Sequence, residues 1–166
     1  RLARGRCLIR DRTYLLSLGS NIDPERWVPH GVGLLQGRFE DVRVSSRYDV
    51  GAVGAPDQPR FVNLAMRITT DLPPRALRAV CRHVEALCRR SRGDDRFAAR
   101  TLDVDVVYAG RDAAILDPEL RTQPYVLVPC AEVWPDARLG ADGPTLAAEV
   151  AARFPDWGAP RRIEED

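Results

Sequence analysis

Apolar positions along the chain fall into short strand-like runs separated by two helical stripes. Thr13–Leu18 is an apolar run that stops at Gly19-Ser20-Asn21, which predicts a strand followed by a turn. A helix is predicted from about Pro24 to Leu35, with Pro24 tolerated in the first turn. Val42–Tyr48 alternates and predicts a second strand; Gly51–Pro59, rich in Gly and Pro, predicts a loop. In a third strand, Phe61–Thr70, Val62, Leu64, Met66 and Ile68 face one way and Phe61, Asn63, Ala65 and Arg67 the other. Leu72-Pro73-Pro74 opens the clearest helix, about Pro74 to Arg90. There Leu77, Val80, Cys81, Val84, Leu87 and Cys88 recur at the spacing of one buried face. An Arg- and Asp-rich stretch, Arg89 to Arg100, precedes a fourth strand, Thr101–Tyr108. A connection rich in Asp and Pro then leads to Tyr125–Val128, and a last helix is predicted from about Thr145 to Phe154.

The order β-α-β-β-α-β with a helical tail predicts an α+β fold. The expected form is a ferredoxin-like sandwich with a four-stranded antiparallel sheet as its core and an added C-terminal helix. Residues 1–12 read as a basic tail or linker and 13–166 as a single domain, which suits the length of 166 residues.

Composition narrows the function classes. The 25 basic residues, all Arg, nearly cancel 24 acidic ones, for a net charge of +1. A general nucleic-acid or anionic-membrane surface demands a clear basic excess, so neither partner is expected. The absence of Lys excludes a Schiff-base lysine and the lysine of a phosphate-binding P-loop. No run reaches the length of a membrane helix, and the basic start lacks the apolar core of a signal peptide, so a cytoplasmic protein is expected. Cys7, Cys81, Cys88 and Cys130 show no paired spacing and read as buried free thiols. His30 and His83 lack ligand spacing, which argues against a zinc site.

The sharpest chemical feature is Arg100-Thr101-Leu102-Asp103-Val104-Asp105. In a strand, Leu102, Val104, Val106 and Tyr108 would face the core while Asp103 and Asp105 stand together on the opposite face. Two adjacent carboxylates repel, and Mg²⁺ with substrate phosphates would compensate them. A solvated polar face is the alternative, and spacing alone leaves both open. Arg89, Arg90, Arg92, Arg96 and Arg100 cluster just before this strand; guanidinium forks suit phosphate oxygens, although helix C-terminal charge accounts equally well for Arg89 and Arg90. In Gln58-Pro59-Arg60-Phe61-Val62-Asn63, an aromatic ring beside an amide offers either a platform for a flat heterocycle or a merely exposed ring at a sheet edge.

Together these segments resemble the hydroxymethyl-dihydropterin pyrophosphokinase family of folate biosynthesis. The matching motifs are Ser17-Leu18-Gly19-Ser20-Asn21, Ser45-Ser46-Arg47-Tyr48, Gln58 to Asn63, Arg100 to Asp105, and Val126-Leu127-Val128-Pro129. The resemblance implies diphosphate transfer from ATP to the hydroxymethyl group of a reduced pterin, giving AMP. It implies that Asp103 and Asp105 hold two Mg²⁺ ions and that Arg100 grips ATP phosphate as a catalytic residue, assisted by Arg90 and Arg92. Glu85 would meet the nucleotide sugar, and Val106 the adenine through its backbone. Phe61 and Tyr125 would sandwich the pterin, Asn63 would bond its edge, Phe97 would cover it, and backbone from Val50 through Gly51 to Val53 would read the ring. ATP and the reduced pterin are the expected partners of a monomer.

The sequence departs from the family pattern in three places. Val50-Gly51 replaces a usual Thr-Pro. The connection Asp117–Pro124 reads as shortened and lacks the family's Pro-His and following Arg, leaving Arg121 as a substitute. Arg89 stands where the family has Gly. A paralogue passing diphosphate to another small alcohol, a non-catalytic pterin- or nucleotide-binding homologue, and an RNA-binding module on the same fold are the alternatives.

Overall fold

The first long strand is set by alternation: Tyr14, Leu16 and Leu18 are buried on one side and Leu15 on the other. The structure, a computed structural model, describes residues 12–39, 41–51, 59–91, 98–157 and 162–163. Its elements are β1 (Arg12–Ser20), α1 (Pro24–Gln36), β2 (Val42–Val44), β3 (Arg47–Val50), β4 (Phe61–Thr70), α2 (Pro74–Leu87), β5 (Asp103–Ala109), β6 (Ala114–Ile115), α3 (Glu119–Thr122), α4 (Pro124–Val133), α5 (Leu146–Arg153) and β7 (Arg162–Ile163). The strands form one seven-stranded antiparallel sheet in the order β6-β5-β1-β4-β3-β7, with β2 also pairing β4. The architecture is therefore α+β, but the expected four-stranded sheet is too small. The short strands β6 and β7 extend both edges, and what reads as one strand at Val42–Tyr48 is two.

Ser45 and Ser46 cause that split. Ser45 donates its N–H to the Ala65 carbonyl, while its own Oγ accepts the Ala65 N–H, both at 2.9 Å. Ser46 turns its N–H (3.0 Å) and Oγ (2.8 Å) to the carboxylate of Glu132 on α4. Side chains thus take hydrogen bonds that a continuous ladder would use, and the strand breaks between β2 and β3.

One sheet face, with Leu16, Leu18, Val62, Leu64, Met66, Val104 and Val106, packs under α1 and α2 through residues such as Leu35, Leu77, Cys81 and Val84. The other face, with Leu15, Ala65, Val107 and Tyr108, packs under α4 and α5 through Leu127, Cys130 and Leu146. Cys81, Cys88 and Cys130 are free and buried, as expected; Cys7 lies outside the described residues.

Tyr108 is a correction. It was expected beside Val104 and Val106, but it lies on the opposite face. Leu16 pairs with Val106 and Leu15 with Tyr108, which leaves Val107 as a bulge on β5. The extra residue shifts the alternation, so Tyr108 sits edge-on to Trp134, with ring centroids 5.7 Å apart, and donates its hydroxyl to the Arg138 carbonyl at 2.9 Å.

The α4 helix was not assigned from sequence. Its apolar string Pro-Tyr-Val-Leu-Val-Pro carries no clear 3.6-residue stripe because it is buried on nearly every side. Together with α5 it covers part of the second sheet face, whereas the polar residues of that face lie towards the other ends of the same strands. That polar half of the sheet carries the candidate site.

Candidate active site

Strand register builds the site. Gly19 on β1 pairs with Asp103 on β5 and with Asn63 on β4, and Asn63 pairs with Tyr48 on β3. Asp103, Gly19, Asn63 and Tyr48 therefore form one row across four strands. In the next row along β1, Ser17 pairs with Asp105 and Ala65. Asp103 and Asp105 are on the face opposite Val104 and Val106, as the alternation predicts. Gly19 leaves the middle of the row low: a Cβ there would lie 3.0 Å from Asn63 Oδ1 and 3.7 Å from the Phe61 ring.

The two carboxylates have different environments. Asp103 is 17% exposed, and both its oxygens are engaged: Arg90 donates to Oδ1 and Arg100 to Oδ2. Burial would raise its pKa, but these two guanidinium groups outweigh it and hold the carboxyl below the usual range. Asp105 is exposed, yet surrounding protein crowds its carboxyl. That desolvation, with the charges of Asp103, Asp117 and Glu85, pushes it up to about 7, against partial relief from Arg90. The like-charge stress at Asp105 is what a hard divalent ion would relieve, whereas on Asp103 such an ion would compete with the two guanidinium groups. Among the described residues no group of three or more His, Cys, Asp or Glu could hold a metal. A two-carboxylate Mg²⁺ site needs no such group, because water and phosphate oxygens complete its octahedron.

Arg100 is fixed from behind. Asn21, 3% exposed, accepts the Arg100 N–H on its Oδ1 at 2.8 Å, and the Asn21 and Ile22 N–H groups donate to the Arg100 carbonyl at 3.1 and 3.2 Å. Asn21 Nδ2 also donates to the Pro59 carbonyl at 3.3 Å. One side chain thus ties the end of β1 to the segments entering β4 and β5. In the sequence Asn21 stands only as the end of the Ser17–Asn21 motif; the fold is what buries its amide and bonds it to two other segments. The Arg100 guanidinium lies 6.0 Å from the Phe61 ring centroid.

Tyr125, at the start of α4, is half-buried; burial and then the nearby Glu119 and Asp117 charges push its phenol up to about 12, opposed by Arg100. Val50 pairs with Phe61, and Gly51 follows it at the exposed end of β3. Glu85 is buried, accepting from the Val104 N–H at 2.9 Å and from Arg90, and so braces the strand between the two aspartates. Val106 has its side chain in the core and pairs with Leu16. Arg121 is directed elsewhere, donating to the Leu139 carbonyl at 3.2 Å, and the structure does not bring it to the aspartates. Arg92, Val53 and Phe97 lie outside the described residues. Asp117, not singled out from sequence, acts on both Asp105 and Tyr125 through its charge while its Oδ1 caps the Glu119 N–H at 2.8 Å.

Residues 15–135 match the family model for 7,8-dihydro-6-hydroxymethylpterin-pyrophosphokinase. The chain belongs to this family. Similar proteins named 2-amino-4-hydroxy-6-hydroxymethyldihydropteridine pyrophosphokinase occur in Methylorubrum extorquens, 35% identical with 79% of this chain and 87% of the relative covered. The protein of that name in Pseudomonas aeruginosa is 34% identical, covering 85% and 91%. The one in Bacillus subtilis is 32% identical, covering 71% and 75%. The match takes in every described site residue from Gly19 to Tyr125. The resemblance read from the motifs is thereby borne out, and with it the reading of the chain as a pyrophosphokinase, a transferase of folate biosynthesis. Among the described residues no helix is long and apolar enough to cross a membrane.

Proposed function

We propose that this pyrophosphokinase transfers the β,γ-diphosphate of ATP to the hydroxymethyl group of 6-hydroxymethyl-7,8-dihydropterin, releasing AMP. The observation that carries the reading is the row Asp103–Gly19–Asn63 with Arg90 and Arg100 beside it. Carboxylates and guanidinium groups thereby stand across one intervening strand, β1, from an amide and an aromatic ring. Asn63 would bond the pterin edge, and Phe61 and Tyr125 would flank its flat ring. Arg100 and Arg90 would take phosphate oxygens through their guanidinium forks. Asp103 and Asp105 would hold two Mg²⁺ ions, which when bound supply charge neutralisation and a lower cost of deprotonating the acceptor. The acceptor hydroxyl loses its proton to solvent, its oxygen bonds to the β-phosphorus as the bond from that phosphorus to the α–β bridging oxygen breaks, and AMP leaves with that oxygen. The residues contribute position and charge, the main currency of phosphoryl transfer.

The same reading treats the four strands in the order β5-β1-β4-β3, with α1 and α2, as a ferredoxin-like core extended by β2, β6 and β7. It takes the enzyme as a cytoplasmic monomer.

The test is AMP formation from ATP and Mg²⁺, with and without hydroxymethyl-dihydropterin. Pterin-dependent AMP that is lost in Asp105→Ala supports the proposal. Pterin and ATP binding without AMP would instead favour a different acceptor alcohol or a silent site.

A further inference from the structure

Arg90 is not a surface cation. Its side chain is 12% exposed, and a single Nη1 donates both to Asp103 Oδ1 and to Glu85 Oε1, whose side chain is 3% exposed. Its backbone is pinned as well. The Arg90 N–H donates to the Glu85 carbonyl at 3.0 Å, and Arg89 takes φ +60°, turning the chain so that Arg90 doubles back over α2 towards β5. With Arg100 on Oδ2, Asp103 is enclosed by two guanidinium groups. A carboxylate has lone pairs to spare, but a divalent ion placed on Asp103 would stand against both cations in a poorly solvated setting. An anion brought in with the ion would offset that repulsion, and Arg90 can let go of Asp103 for it while keeping Glu85, so its own buried charge is never without a partner.

Resting on the metal reading above, we infer that Arg90 is the internal counter-ion of the metal site. It holds Asp103 in the nucleotide-free protein and passes to phosphate oxygens when the metal enters. Metal loading is thereby coupled to polyphosphate: the divalent ion binds weakly alone and well only in company with an anion that receives Arg90. Arg100, whose backbone Asn21 fixes, stays in place as the permanent phosphate contact.

The test is Mn²⁺ binding to the nucleotide-free protein, followed by loss of the free-ion electron paramagnetic resonance signal. Arg90→Gln should tighten Mn²⁺ binding by about fivefold or more, a change near 1 kcal/mol. The double variant Glu85→Gln, Arg90→Gln should do the same; its glutamine Oε1 can still accept from Val104, and it leaves no bare buried carboxylate. Arg89→Gln removes the same charge from an exposed neighbour and should change the constant by less than about twofold if the effect is local. The inference is overturned if the double variant leaves the constant unchanged, or if Arg89→Gln tightens binding as much. If Mn²⁺ binds to no variant, or if Asp105→Asn does not weaken its binding, the metal reading itself fails. Loss of binding confined to Asp105→Asn, with no effect at Arg90, would sink only the counter-ion role.

Discussion

Glu85 on α2 accepts a hydrogen bond from the backbone N–H of Val104, the residue between Asp103 and Asp105. β6 pairs only with Tyr108 and Ala109, so it does not cover this part of the β5 edge. The helix carboxylate does the work of a neighbouring strand there. Glu85→Ala would leave the Val104 N–H and Arg90 without this partner in a buried setting, and should lower the unfolding free energy by about 3 kcal/mol. Glu85→Gln keeps an acceptor for Val104 and should cost less. Urea unfolding of the two variants decides the matter; equal losses would mean that charge pairing with Arg90, not the hydrogen bond to the strand, dominates.

Arg89 occupies the left-handed position that ends α2. The Arg90 N–H bonds the Glu85 carbonyl and the Arg89 N–H the Ala86 carbonyl, each at 3.0 Å, the two hydrogen bonds of a Schellman motif. The sequence already marked this position as one where the family has Gly. A side chain in this conformation costs about 1–2 kcal/mol, and the greater freedom of unfolded Gly takes back part of that. Arg89→Gly should therefore stabilise the protein by about 0.5–1 kcal/mol, raising Tm by roughly 1–4 °C. A lower Tm would mean that the Arg89 side chain contributes packing not evident from its exposure.

The long strands and both major helices were legible because their alternation and stripes reflect one buried face each. The placement of Asp103 and Asp105 opposite Val104 and Val106 followed from the same rule. Four features were not legible. The Val107 bulge inverts Tyr108, and no residue type in β5 announces an unpaired position. The break at Ser45-Ser46 depends on Glu132, more than eighty residues away. The α4 helix carries Val and Pro in a run without a polar face, so its period is hidden by burial on nearly every side. The bracing of Asp103 by Arg90 was equally hidden: the arginines were visible as a cluster, but which of them turns back depends on the cap at Arg89.

Gly19 separates Asp103 from Asn63 in the site's central row. An added methyl would meet Asn63 Oδ1 at 3.0 Å, closer than ordinary contact, and Phe61 at 3.7 Å. Asn63 is only 7% exposed and has little room to yield, so its amide should rotate or shift. Gly19→Ala is expected to raise KM for the pterin by about tenfold, the scale of a lost positioning contact, while KM for ATP changes far less. Steady-state kinetics with each substrate varied in turn separates the two. An equal rise for both would show that the strand itself had been displaced, which a fall in Tm would confirm.

Glu132 links α4 to the β2–β3 break and supplies an acid-sensitive joint. Burial alone would raise its pKa, but Tyr48 Oη at 2.7 Å, the Ser46 N–H and Oγ, and Arg162 at 3.6 Å favour the ionised form and lower it below its ordinary 4.5. A carboxylate with a depressed folded-state pKa binds fewer protons folded than unfolded in the range between the two values. Its contribution is complete above the unfolded value and is lost as pH falls through the lower, folded one. At pH 7, Glu132→Gln should unfold about 1–2 kcal/mol more easily than the parent, the range of a few partly solvated charge-assisted hydrogen bonds. That gap should shrink as the pH is brought below 4.5 and nearly close once Glu132 is protonated in both states. Chemical unfolding at a series of pH values measures it, and a gap that stayed constant through the acid range would show that the charge of Glu132 is not what holds α4 to the sheet.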